Sequence, residues 1–259
     1  MARRRVLVPA LVLFAFAAAA ASPSGAEVVQ RGDVRVGFEA ELRPRQLPRQ
    51  GAAPVTVSLE GRIDPIGTTL PPRLRTIQVE INRFGRLDPS ALPVCPIASI
   101  QPSTTKDALG TCGPSVVGEG SFSAAVLLPE QTPFPSRGRV VAFNGRFDGA
   151  PAILAHVYGT KPAPTSFTLP FRIGHSKGTF GTVLSASLPR VATSRAYVTS
   201  LEMTLGGGPG GRHRGFVSAG CPAPAGFPSA VFPLARATFE FVGGPTLRST
   251  VVRGCRARG

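Results

Sequence analysis

Short runs of two-residue alternation, separated by clusters of proline and glycine, constrain the fold of this chain more than any other feature. Val34, Val36 and Phe38 alternate; so do Val55, Val57 and Leu59, and then Ile77, Val79 and Ile81, with Arg75, Gln78 and Glu80 on or near the other face. Side chains two positions apart share one face of a strand, so each run reads as a half-buried β-strand. Further strand-like runs cover 116–128, 139–147, 153–158, 167–173, 179–188, 196–205, 234–242 and 247–253, which makes about eleven or twelve strands. Between them lie Pro71-Pro72, Pro133 to Pro135, Pro162 to Pro164, Gly206 to Gly211 and Pro222 to Pro224, none of which continues a ladder. The expected fold class is all-β, an antiparallel β-sandwich, built as two packed sheets or as two small sandwiches divided near 160–165.

The segment from Asp88 to Cys112 breaks this pattern. Asp88-Pro89 places an N-cap residue before a first-turn proline, and Thr104 to Gly110 reads as a short helix stopped by its glycine. One or two short helices are therefore expected in the 88–112 connection. Cys95 and Cys112 bracket it, and a loop of that length gains roughly 3 kcal/mol from a disulfide in the chain-entropy model. Cys221 then pairs with Cys255. Of the three connectivities that four cysteines allow, locality favours this one. Zinc is not expected: no C-x2-C or H-x3-H spacing occurs among Cys95, Cys112, Cys221, Cys255, His156, His175 and His213.

Exported cysteines are usually oxidised, and the N-terminus carries the pattern that places these outside the cytoplasm. Arg3, Arg4 and Arg5 precede an apolar run from Val6 to Ala21 and the small residues Ser24-Gly25-Ala26, the pattern of a signal peptide cut before Glu27. The run is too short and too rich in alanine for a stable span. The leader has no cysteine for lipid modification, and it lacks the residues that flank twin arginines in Tat signals. The expectation is general secretion of a 27–259 domain with no transmembrane segment. Export excludes mechanisms that need cytosolic ATP, NAD or nucleic acid, so no cofactor is expected. Of 29 Lys and Arg, three lie in the leader, and against 14 acids the mature chain keeps a surplus of about +12. No block of like charge forms a nucleic-acid arm, so the partners expected are an envelope protein, an anionic polymer or lipid headgroups.

One motif carries a catalytic reading. Gly174-His175-Ser176-Lys177-Gly178 matches G-x-S-x-G, and Glu202 and His213 follow in the order serine, acid, histidine. A nucleophile elbow needs a helix after the serine, however, and Thr179 to Leu184 is strand-like. A hairpin turn accounts for the same residues. Arg31-Gly32-Asp33 matches an adhesion tripeptide beside the new N-terminus, and the 206–214 segment is glycine-rich and basic without the Gly-Lys-Ser/Thr ending of a phosphate loop. With only Tyr158 and Tyr197 and no tryptophan, the mature chain offers no sugar-stacking platform.

Two cysteine segments, Leu92-Pro93-Val94-Cys95-Pro96 with 112–120, and Cys221 to Phe227 with Ala237 to Phe241 and Cys255, resemble exported, disulfide-containing β proteins of unassigned function from GC-rich actinobacteria. The resemblance implies a secreted β protein and carries no active site. The expected function is a non-catalytic, envelope-associated or extracellular binding module. A serine hydrolase using Ser176 is the alternative, and a carrier holding an apolar ligand such as lipid between the sheets is a third.

Overall fold

The computed structural model describes residues 25–67, 70, 72–127, 131–188, 196–206 and 215–258. The leader expected at 1–26 lies outside them except for Gly25 and Ala26. The strands in chain order are β1 (Glu27–Arg31), β2 (Val34–Arg43), β3 (Gln46–Pro48), β4 (Ala53–Pro54), β5 (Thr56–Pro65), β6 (Leu74–Asn82), β7 (Gly85–Leu87) and β8 (Val116–Val126). After them come β9 (Phe134–Phe147), β10 (Ala150–Gly159), β11 (Thr165–His175), β12 (Phe180–Ser187), β13 (Ala196–Leu205), β14 (Val217–Ala219), β15 (Ser229–Phe241) and β16 (Thr246–Arg258). The all-β class holds, and the alternating runs map onto β2, β5, β6, β8 to β13, β15 and β16. The expected count is corrected to sixteen among the described residues. The strands missed, β1, β3, β4, β7 and β14, have two to five residues and are too short to display a period.

Thirteen strands form one sheet in the order β1-β2-β5-β13-β8-β9-β10-β11-β12-β6-β15-β16-β3, and β4-β14-β7 form a small second sheet. The large sheet is antiparallel except for the parallel β16–β3 pair at its end. It curls until its ends approach, so that Ser249 Oγ in β16 donates to the Glu27 carbonyl in β1 at 3.2 Å. The facing layers expected of a sandwich are therefore opposite walls of one continuous sheet. Val34, Val36, Phe38, Ala40 and Leu42 point inward from β2, and Leu184 and Ala186 do so from β12. Each such burial is worth about 1.5–3 kcal/mol for a large aliphatic or aromatic side chain. Gly61 shows how closely the walls pack: a Cβ there would sit 3.2 Å from the Phe239 ring of β15. The 160–164 segment is a hairpin connection between β10 and β11, which pair from Ala152 with Arg172 to Gly159 with Thr165.

β9 and β10 are buried on both faces, which explains their continuous apolar runs. Val140, Ala142, Ile153 and Ala155 join the interior. Val141, Phe143, Ala152 and Leu154 point the other way, into a second cluster with Cys95, Ile100, Ala108 and Cys112. That cluster lies under the 88–115 connection, a flap over the outer face of the sheet. Asp88 caps a short 3-10 turn, Pro89–Ala91, as its sequence predicts. The longer helix, α1 (Thr105–Cys112), is capped by Thr104, whose Oγ1 accepts from the Asp107 amide at 3.2 Å. The stop expected at Gly110 is corrected: the helix runs on to Cys112. Ala108 and Cys112, four apart, share the buried face, and the anchored cysteine holds the last turn in place.

Candidate functional site

Both disulfides expected from locality form, Cys95–Cys112 with Cα atoms 5.6 Å apart and Cys221–Cys255 with Cα atoms 5.8 Å apart. The first pins the flap. Asn144, fully buried in β9, holds it as well: its Nδ2 donates to the carbonyls of Pro89, Leu92 and Pro93 at 2.8, 2.9 and 3.1 Å. Its backbone carbonyl accepts from the Cys95 amide at 2.8 Å. Proline deprives this segment of its own donors, so the asparagine supplies them.

His156 lies in the same layer, on β10 opposite Val141 of β9 and Thr168 of β11, and is fully buried. Neither ring nitrogen has a hydrogen-bond partner, and neither does Thr168 Oγ1. Burial pushes the His156 pKa below its usual value, because charging the ring there forfeits its hydration. The Ile100 carbonyl, taken by Ser103 Oγ at 2.8 Å, opposes this in part by lying near the ring. The ring is neutral at pH 7.

Ser176 sits in the turn between β11 and β12, exposed, with its amide donating to the Gly181 carbonyl at 2.9 Å. His175 ends β11, and its side chain is exposed. No helix follows; Phe180 starts β12. Glu202 stands on β13, exposed, and accepts from Ser121 Oγ at 3.2 Å. Glu202 lies between Leu201 and Met203, which line the interior together with Phe171 of β11, so its side chain points outward, away from that interior. Among the described residues no hydrogen bond joins Ser176 to Glu202. His213 and the 207–214 part of the glycine-rich segment lie outside the described residues. Arg31 ends β1, and Gly32 and Asp33 form the turn into β2. Inside the curled sheet, the cavity bounded by Phe38, Leu59, Phe171, Leu184, Leu201 and Met203 measures about 30 Å³, and another near Phe84 and Val217 about 20 Å³. These are the size of a water molecule.

A charged surface is assembled where the parallel β3–β16 pair closes the sheet. The Arg256 amide donates to the Arg45 carbonyl at 2.9 Å and the Arg49 amide to the Arg258 carbonyl at 3.2 Å, which brings four arginines to one corner. The Arg49 guanidinium is spent internally, on the carbonyls of Ala223, Pro224 and Phe227. It fixes the turn around Gly226, whose φ of +84° suits glycine. Arg45, Arg256 and Arg258 are exposed and have no ion-pair partner among the described residues. The sequence explains why: 44–59, 203–239 and 241–259 contain no Asp or Glu. Of the carboxylates that border these segments in sequence, Glu41 pairs with Arg43 at 3.0 Å, and Glu240 lies at the far end of β15, opposite Thr246. Arg253 donates through Nη1 to the Val252 carbonyl, while its Nε and Nη2 are shielded from water and have no acceptor.

No protein-family model matches the chain, and neither do the curated proteins or the solved structures.

Proposed function

We propose that this chain is an exported, non-catalytic β protein that binds a protein or an anionic component of the cell envelope. The observation that carries the reading is the acid-free corner with Arg45, Arg256 and Arg258 uncompensated. Surplus charge that is not used within a fold attracts an oppositely charged partner, with a strength that falls as salt rises. Export is supported by the leader pattern and by two disulfides, which are consistent with an extracellular location. Among the described residues no helix is long and apolar enough to cross a membrane. The resemblance to exported actinobacterial β proteins fits the same reading.

The strand that follows Ser176, where a nucleophile elbow needs a helix, weighs against the hydrolase alternative, and the water-sized cavities weigh against a carrier of apolar ligands within the sheet. Retention of the oxidised 27–259 chain on an immobilised polyanion or on anionic lipid vesicles at about 0.15 M salt tests the proposal. Retention lost in the triple variant Arg45→Gln, Arg256→Gln, Arg258→Gln supports it. Equal retention of that variant, or none by the unmodified chain, overturns it.

A further inference from the structure

The same corner carries exposed apolar side chains that a purely polar partner would leave in water. Val231 on β15 is 78 % exposed, Val252 on β16 44 %, and Phe227, in the turn held by Arg49, 63 %. Their placement follows from the register. Val231 stands opposite Gly254 and Pro233 opposite Val252, so the two valines are diagonal neighbours, and the glycine leaves Val231 without cross-strand cover. Ser229 pairs with Arg256 one step along, and Arg256 with Gln46 of β3. The Ala257 amide donates to the Pro228 carbonyl at 2.8 Å, which sets Phe227 beside the end of β16. The result is an apolar group flanked by arginines on a rigid support, since Cys221–Cys255 and the Arg49 bonds fix the turn and strand that present it.

We infer that this surface docks on an anionic lipid bilayer, with Phe227, Val231 and Val252 entering the headgroup region and Arg45, Arg256 and Arg258 meeting lipid phosphates. The inference rests on the anionic-partner reading above and makes it specific. Charge alone would suit a polymer of phosphates or uronic acids equally well. Exposed aliphatic and aromatic side chains next to arginine distinguish an interface that offers an apolar phase immediately behind its negative charge. A basic residue at such a surface is worth about fivefold in partitioning, so the three arginines together account for on the order of 10²-fold.

The chain has no tryptophan, so a single introduced one reports its own surroundings. The test uses the oxidised 27–259 chain with Val231→Trp, and Val94→Trp as a control on the flap, where Val94 is 50 % exposed. Each is mixed with phosphatidylcholine vesicles, with and without phosphatidylglycerol, and with dextran sulfate. Phosphatidylglycerol-dependent co-sedimentation is expected, with a blue shift at position 231 and none at 94. Replacing Arg45, Arg256 and Arg258 with glutamine should weaken binding on the order of 10²-fold while the circular dichroism spectrum is unchanged. Binding to phosphatidylglycerol vesicles without a blue shift at 231, or binding to dextran sulfate but not to vesicles, overturns the lipid inference and leaves the anionic-partner reading standing. Binding to neither overturns both.

Discussion

Replacing Asn144 is the most searching perturbation of the flap, because one side-chain amide serves three carbonyls there. Asn144→Ala leaves the carbonyls of Pro89, Leu92 and Pro93 without that donor in a buried layer. A buried acceptor that loses its partner costs about 1–3 kcal/mol. The amide has only two protons, so no more than two full bonds are lost, and the expected destabilisation is about 2–5 kcal/mol. For a chain of this size that lowers the melting temperature by roughly 4–20 °C. Asn144→Asp should be worse at pH 7, since a carboxylate would face three carbonyl oxygens, and should move toward the alanine value in acid as the carboxyl gains a proton to donate. Urea unfolding followed by far-ultraviolet circular dichroism measures both. A loss below about 1 kcal/mol for alanine, or an aspartate variant no less stable than alanine at neutral pH, would show that the amide does not hold the flap.

The buried His156 makes stability depend on pH. Its pKa is lowered in the fold, so the unfolded chain binds the extra proton. Stability is full above about pH 6.5 and falls by up to about 1.4 kcal/mol per unit as pH drops from there through the folded value; a slope unchanged in His156→Leu would refute this. Glu80 gives a second, more acidic step. The Arg236 guanidinium, bonded to both its oxygens at 2.5 and 2.7 Å and lying over the Phe180 ring, holds its pKa below the usual range. That contribution is complete above about pH 4.3 and is lost as pH falls through the lower folded pKa, and Glu80→Gln should flatten the acid limb of the stability curve. Removing Cys95–Cys112 with paired serines should cost about 3 kcal/mol, and thiol titration of the unreduced chain should find no free thiol. Ser176→Ala should shift stability by less than about 0.5 kcal/mol, and a fluorophosphonate probe should leave Ser176 unlabelled; stoichiometric labelling would restore the hydrolase reading.

The fold was legible wherever one face of a strand is dry and the other wet. β2 and β12 show this, with alternation that sets both the element and its inward residues. Proline misled the reading of boundaries. The start expected near 234 for β15 lies at Ser229, because Pro233 sits beside a bulge where the ladder shifts between Pro233 and Ala235 and a missing donor is tolerated. Asn144 and His156 were not recognised as buried. Each is a single polar residue in an apolar run, and nothing local distinguishes a polar side chain facing solvent from one under a flap that arrives from another part of the chain.

The candidate sites differ in the same physical terms. For Ser176 the discriminating signal was local: the strand period of Phe180, Thr182 and Leu184 left no room for the helix that a nucleophile elbow requires. The arginine corner was half visible, since the scarcity of acids in the C-terminal part can be read directly from the sequence. Its other half was hidden, because β3 joins β16 by parallel pairing across most of the chain length, and such a contact has no turn and no spacing to announce it. The exposed valines were hidden for a further reason. A valine in a strand is read as core unless the register is known, and a one-residue shift would exchange the faces. Only the pairing of Val231 with Gly254 and of Pro233 with Val252 places both valines outward, beside Arg256, where apolar surface and uncompensated charge meet on one face.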